Sequence, residues 1–574
     1  MTAFDFCVLY NMATITRRMI KGKAYYYAVR SARVNGKPRL VWQKYLGTAD
    51  TIIDRMSSDS IPLPDASSIL RFGAEAACLQ VARELGIAAI IDEYLPKRHQ
   101  GLTVGDYLLI AAINRCCDPR SKRAIERWFF GSVLSRHFPQ VSPGDLSSQR
   151  FWDHMNLVTD EAIIRIESAL SRRLLERYPQ ATGTLLYDTT NFYTFIHTFN
   201  QRCRLPERGH NKQKRYDLRQ VNVALLVTRD GQLPLFHYCY EGSRPDSKSF
   251  QTIVGHLIQR LAEIAPQFSD LTIVYDTGNN SEAALTQLAA SPCHFVSALP
   301  ISSCPDLLTV PLERYRPLAG GRFEGVKVLR QEREVSGARR TVLVVFSPNF
   351  YRDQHKTMLI QLDQANRKLK ELQDRLTVWE NGLRCKGRRP VLESVERQVA
   401  EILSGQHLKE LIVVTIELRR QFVHLEYRVD EDRLAELAER VFGKSLLFSD
   451  QRNWTDETLV GSYWDKWEIE AAFRQMKNRR HCGWFPMYHW TDQKIRVHAF
   501  YCVLALLINS VLQQKARQAG IAVETDELLT LLSGIHQVAY RYGRSKLDKP
   551  RTMISDRDEE QQKLTDEFEL TKYA

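Results

Sequence analysis

The sequence contains no Cys-x-x-Cys pair, no uninterrupted hydrophobic run long enough to span a bilayer, and no basic start leading into an apolar stretch and a small-residue cleavage site. Each absence removes a class of protein. The eleven cysteines are scattered, and the adjacent Cys116 and Cys117 suit neither an ordinary structural disulfide nor half of a zinc site, so reduced, packed thiols are expected. The longest apolar run, Ala499 to Leu512, is too short for a membrane span and sits among charged residues; it reads as a buried helix, with no membrane partner. The N-terminal MTAFDFCVLYNMATITRRMIKGK does not have the make-up of a secretion signal, and a cytoplasmic protein is expected.

What is present is a folded, basic chain. With 44% hydrophobic and 26% charged residues the composition is that of a protein with a sizeable core. At 574 residues the chain exceeds what one core organises, so three or four domains are expected. Eighty Lys and Arg against 67 Asp and Glu leave a net charge of +13, which favours a polyanionic partner, nucleic acid above all.

The hydrophobic period changes along the chain. Residues 24–47 alternate aromatic or aliphatic with polar residues around Asn35-Gly36, a hairpin-turn dipeptide, so residues 1–66 are expected to hold a basic β-hairpin. Residues 67–177 show apolar spacings of three and four, the sign of a helical region, and Arg120, Lys122, Arg123, Arg127 and Trp128 combine charge with an aromatic there. Residues 178–301 then read as strands and helices of a mixed α/β layer, with Asp230-Gly231 at a hairpin turn. Residues 302–445 interrupt that layer with strands and a helical section. Its seam of Met358, Leu362, Ala365, Leu369, Leu372, Leu376, Trp379 and Leu383 has heptad spacing, and a second seam at Leu392, Val395, Val399 and Ile402 follows, which favours a helical hairpin within the chain over a dimer coiled coil. Residues 446–515 resume the layer, and 516–574 read as a helical tail.

Three acidic residues stand out. Asp188 ends the apolar strand LLYD and Asp276 ends IVYD, so both carboxylates are expected where a buried strand reaches a sheet edge. Alone, each is as compatible with a turn former as with a ligand. In SYWDKWEIEAAFRQMKNRR, read as one helix, Tyr463, Lys466, Glu470 and Lys477 are separated by three, four and seven residues. At about 100° per residue they fall within roughly 60° of one helical face, whereas Glu468 points nearly the opposite way. A tyrosine, a carboxylate and two cations on one face select Glu470 over its neighbour.

These segments together resemble the bacterial insertion-sequence transposases that carry a DDE triad and a Tyr-x2-Arg-x3-Glu-x6-Lys signature. The resemblance runs through YDTTNFY around Asp188, DLRQVNVALLVTRDGQLPL, VYDTGNNS around Asp276 and YWDKWEIEAAFRQMK around Glu470, followed by PMYHWTDQKIRVHAFYCVLALLI. It departs where Lys466 replaces the signature arginine, which keeps the charge but loses the bidentate fork. It implies an α/β ribonuclease-H-like core over 178–301 and 446–515, a large mixed α/β insertion accounting for the 194-position separation of Asp276 and Glu470, and a helical DNA-binding region at 67–177. It further implies catalysis by Asp188, Asp276 and Glu470 holding two Mg2+ ions, or Mn2+, with Tyr463, Lys466 and Lys477 contacting DNA. Three carboxylates offer hard oxygen ligands and offset much of the charge of two ions about 4 Å apart. The implied partners are double-stranded DNA bearing terminal inverted repeats, target DNA and a second copy of the chain; the implied location is the cytoplasm, at the nucleoid of a bacterium. End recognition is expected from the basic hairpin and the helical region.

Three other readings compete. A structure-specific nuclease would use the same carboxylates. A DNA-binding protein derived from a transposase would need none of them. Asp276-Thr277-Gly278, echoed by Asp188-Thr189-Thr190, is the tripeptide of aspartic proteases, but such a dyad leaves the Tyr463–Lys477 face and the basic charge unexplained.

Overall fold

The computed structural model describes residues 13–34, 37–57, 64–96, 101–179, 183–209, 215–264, 271–383, 388–542 and 550–574. The chain forms two units, Met1–Leu70 with Gln537–Ile554, and Arg71–His536 with Ser555–Ala574.

In the first unit, strands β1 (Thr14–Ile20), β2 (Lys23–Val34) and β3 (Lys37–Gly47) make an antiparallel sheet, so the expected hairpin gains a third strand. Lys21 and Gly22, with φ of 48° and 77°, turn β1 into β2 through the left-handed region that a tight hairpin requires. The expected Asn35-Gly36 turn lies outside the described residues. Almost nothing in this sheet is buried, and all of β1 is exposed. Strand β4 (Ala66–Arg71) follows.

The second unit is a mixed α/β body around one large sheet. Strands β5 (Thr184–Thr194), β6 (Arg219–Thr228) and β7 (Pro234–Glu241) form an antiparallel meander. Strands β8 (Thr272–Val274) and β9 (His294–Leu299) then add parallel to β5 through crossover helices Asp246–Ile264 and Glu282–Ala289. The run of buried residues in β5 and β6 is what a strand covered on both faces needs. Leu185, Tyr187, Ala224 and Leu226 share a core with Phe250, Val254 and Leu257 of the crossover helix. The alternate positions Val223 and Leu225 are as fully buried on the other side.

Residues 302–445 do more than interrupt this sheet. Strands β10 (Arg316–Pro317), β11 (Lys327–Val335) and β12 (Ala338–Phe346) extend it. Beyond β12 come the helices Pro348–Glu380 and Leu392–Ile402, the hairpin of β13 (Ile412–Arg419) and β14 (Phe422–Val429), and then β15 (Lys444–Ser449), which joins β12 to β9. The full order is β10-β11-β12-β15-β9-β8-β5-β6-β7. The heptad seam closes within the chain: Met358 through Leu376 pack with Val395, Val399 and the β13–β14 hairpin. It ends at Leu376, because the helix stops at Glu380 and Leu383 beyond it is exposed.

The apolar run at 499–512 lies inside a longer helix, Asp492–Gln518. By length and composition that helix could cross a membrane, yet 94% of its most apolar window is buried in the fold. Residues 516–574, expected to be helical, also supply β16 (His536–Arg541) and β17 (Arg551–Ile554), which pair in the order β17-β16-β4. Their pairing with residue 66 onward is non-local, so no window of the tail could reveal it. The nine cysteines among the described residues are free and buried, as expected.

Candidate active site at the ends of the central strands

Parallel pairing sets Thr184 opposite Thr272, Leu185 opposite Ile273 and Leu186 opposite Val274. Two residues further along each chain stand Asp188 and Asp276, so the register carries the two carboxylates side by side. Alternation decides which way they face. Tyr187 and Tyr275, one residue earlier, both pack on Phe250 of the crossover helix, with ring centroids 4.8 and 5.0 Å away. Successive side chains on a strand point to opposite faces, which turns Asp188 and Asp276 away from that helix. The repeated Tyr-Asp of LLYD and IVYD is thus one packing device used twice.

Asp276 also caps the short turn Thr277–Asn279. Three donors meet on its Oδ1: the Thr277 amide at 2.8 Å, the Tyr463 hydroxyl at 3.1 Å and the Lys466 ammonium at 3.2 Å. Burial alone would raise the Asp276 pKa, but Lys466, the Thr277 amide and Tyr463 outweigh it and hold the carboxyl below its ordinary value. The Tyr463 phenol is pushed well above its ordinary value by burial first and then by Asp276, with Asp188 adding to the effect. Tyr463 therefore stays protonated and donates.

The helix expected over 462–480 is two helices, Asp456–Trp464 and Trp467–Lys477, with Asp465 and Lys466 between them. The break has tertiary causes. Arg322 pairs with Asp465 at 2.9 Å and Phe323 packs on Trp464 at 5.3 Å. The second helix lies along β5: Lys466 at its start reaches Asp276, and Lys477 at its end donates to Thr190 Oγ1 at 2.6 Å. Glu470 is exposed on the face between these two anchors. Glu468 turns away and accepts a bond from Gln232 at 2.5 Å. The structure thus gathers Asp188, Asp276, Tyr463 and Lys466, and places Glu470 and Lys477 on the helix alongside. Among the described residues no three His, Cys, Asp or Glu side chains stand close enough to hold a metal ion as they are.

Local pattern reading missed Thr190 and the Thr277 amide. A threonine two residues after a strand aspartate carries no signal until a lysine 287 positions away arrives beside it. The basic and aromatic surface expected at Arg120–Trp128 forms only in part. Trp128 is buried, and the Lys122 ammonium turns inward to the Tyr501 hydroxyl at 2.8 Å. Arg120 pairs with Asp118 at 2.9 Å yet stays exposed, as do Arg123 and Arg127. A short amphipathic stretch reads as a binding stripe even when several of its cations and rings face a core. The β1–β3 sheet is the stronger basic surface: between Asp5 and Asp50 the sequence has nine Lys and Arg and no acidic residue.

No protein-family model and no curated protein matches this sequence. A solved structure, the synaptic complex of piggyBac transposase with hairpin DNA, is similar over 82% of this chain and 82% of that chain, at 9% identity and a TM-score of 0.37. At that degree of likeness no residue or activity is carried from one protein to the other.

Proposed function

We propose that this chain is a metal-dependent DNA transposase on a ribonuclease-H-like core, which cuts at the ends of a DNA element and joins the 3′-hydroxyl ends to target DNA. The observation that carries the reading is the matched register of Asp188 and Asp276 on neighbouring parallel strands, with the Glu470 helix laid along the first of them. Strand order supports the core: an antiparallel meander whose first strand is extended by two parallel strands, β7-β6-β5-β8-β9. A protease dyad would leave the Tyr463 and Lys466 contacts on Asp276 and the Lys477 contact on Thr190 without a use.

The donor chemistry fits a hard divalent cation, since the two aspartates offer only carboxylate oxygens and Asp276 already accepts one cation, the Lys466 ammonium, which a bound ion would displace or share the carboxylate with. Asp188, Asp276 and Glu470 would hold Mg2+ or Mn2+, two ions in all, which when bound activate an attacking hydroxyl and stabilise the leaving oxygen. Tyr463 and Lys466 orient and neutralise Asp276. Lys477 and Lys466 present charge to backbone phosphates. Duplex ends with inverted repeats would be gripped by the β1–β3 sheet and exposed cations of residues 67–177, and two copies of the chain would hold two ends together.

The test is cleavage and strand transfer on labelled element ends with Mg2+. Asp188→Asn and Glu470→Gln should each lower both by on the order of a hundredfold or more while end binding persists, because an amide keeps the carboxylate's size and loses its charge. Glu468→Gln should leave cleavage intact. Full activity in both site variants would overturn the reading. Cleavage without joining in the unaltered protein would favour the nuclease instead.

A further inference from the structure

Past Asp188 and Thr190, β5 ends at Tyr193 and Thr194, and the chain enters a loop rich in arginine and aromatic residues. Phe195 and Phe199 in that loop are 64% and 83% exposed. In the segment after the Glu470 helix, Tyr488 is 72% and Trp490 39% exposed. Single exposed rings are ordinary, but four in two adjoining segments mark a surface with a use.

The two segments are fastened together. Asn200 donates to the Trp490 carbonyl at 3.3 Å, and the amides of Arg204 and Leu205 bind the Asp492 carboxylate at 2.9 and 2.8 Å. Arg219 holds the loop from behind through the carbonyls of Thr198 and Asn200, at 2.7 and 3.2 Å. The rings are therefore presented on a fixed platform. Cations accompany them: the Arg202 guanidinium lies 5.6 Å from the Trp490 ring, and Arg215, which also pairs with Asp217 at 2.9 Å, lies 5.8 Å from Tyr193. The surface is continuous with the carboxylates, because Arg479, just after the Glu470 helix, donates to the Tyr193 hydroxyl at 2.8 Å and Tyr193 packs on Phe485 at 4.7 Å. The strand from Asp188 to Tyr193 spans about 17 Å.

We propose that this surface binds single-stranded DNA and, resting on the transposase reading above, takes the strand that separates from its complement beside the cut. In a duplex the faces of the bases are covered by each other; an unpaired strand offers them to exposed rings, while arginines beside the rings meet its phosphates. Phe199 and Tyr488, the two most exposed rings of this surface, are the stacking platforms.

The experiment measures binding of the full-length protein to labelled oligothymidine and to a duplex of the same length, without metal. Phe199→Ala and Tyr488→Ala should each weaken single-strand binding about five- to hundredfold and leave duplex binding within about twofold. Tyr488→Phe, which keeps the ring, should restore it. Equal loss on both DNAs would make this a duplex surface and overturn the proposal, as would unchanged single-strand binding in folded variants. The readout needs no cleavage, so the two readings fail separately. Active Asp188→Asn with weakened Phe199→Ala binding sinks the catalytic reading alone; the reverse pattern sinks the single-strand surface alone.

Discussion

Deep in the second unit Glu167 meets His237 and Arg260, all three shut away from water. The β1–β3 sheet is the opposite case, with cations on its strands and no acidic residue among them. Its cations settle on amides and rings: Arg18 donates to Gln43 at 3.1 Å and lies 5.0 Å from the Tyr27 ring. The difference follows from solvent. A charge shut away from water requires a partner inside the chain, since desolvation otherwise forces it neutral. An exposed charge of one sign costs little alone and remains available to an external polyanion. One region is therefore sensitive to the removal of any partner, and the other should be sensitive only when DNA is present.

The sharpest way to break the contrast is inside the second unit. Glu167→Gln removes the anion from between His237 and Arg260 and should destabilise this unit by about 3–5 kcal/mol, read as a lowered urea midpoint. A shift below about 1 kcal/mol would mean that the trio is not a working buried network.

The same trio sets a pH window. Burial would raise Glu167, but His237 and Arg260 outweigh it and leave it below 4.5. Burial would lower His237, but Glu167 carries it from 6.5 up to about 10. The depressed carboxyl contributes stability that is full above 4.5 and lost as pH falls through its lowered value. The raised imidazole contributes stability that is full below 6.5 and lost as pH climbs to about 10. Urea midpoints should therefore peak between these limits and decline on both sides, and Glu167→Gln should flatten the profile. An equally sloped profile in the variant would assign the pH dependence to other groups.

A milder intervention concerns Lys466. Lys466→Gln withdraws the cation beside Asp276, whose carboxyl should then titrate at higher pH, visible in the carboxyl carbon shift of labelled protein. No change would show that the Thr277 amide and Tyr463 suffice to hold it down.

The smallest effect on stability is expected in the β1–β3 sheet. Arg17→Gln and Lys44→Gln should move the urea midpoint by no more than about 0.5 kcal/mol. Each cation withdrawn from a DNA phosphate should still lower the slope of log affinity against log salt by about one. Variants that unfold the unit while sparing DNA binding would reverse the comparison.

Much of this was legible locally. The strand stop before Asp276 follows from an apolar run that meets a polar residue, whereas Asp188 does not end its strand, because pairing with β6 carries β5 on to Thr194; the choice of Glu470 over Glu468 follows from helical period, with Glu468 turned instead to Gln232. The sequence likewise determined the helical hairpin, since a regular apolar seam needs only a second seam nearby to close on. Tertiary structure alone decided that Lys466 binds a carboxylate, that Arg322 and Phe323 split the Glu470 helix from its predecessor, and that Lys122 and Trp128 turn inward. It also decided that two arginine- and aromatic-bearing segments, joined where Asn200 meets Trp490 across 290 positions, share one surface. The physical reason is range: period and turn chemistry act over a few residues and are written in the local order of side chains, whereas which charge is neutralised, and which ring is left in water, depends on neighbours that only the closed chain brings within a few ångströms.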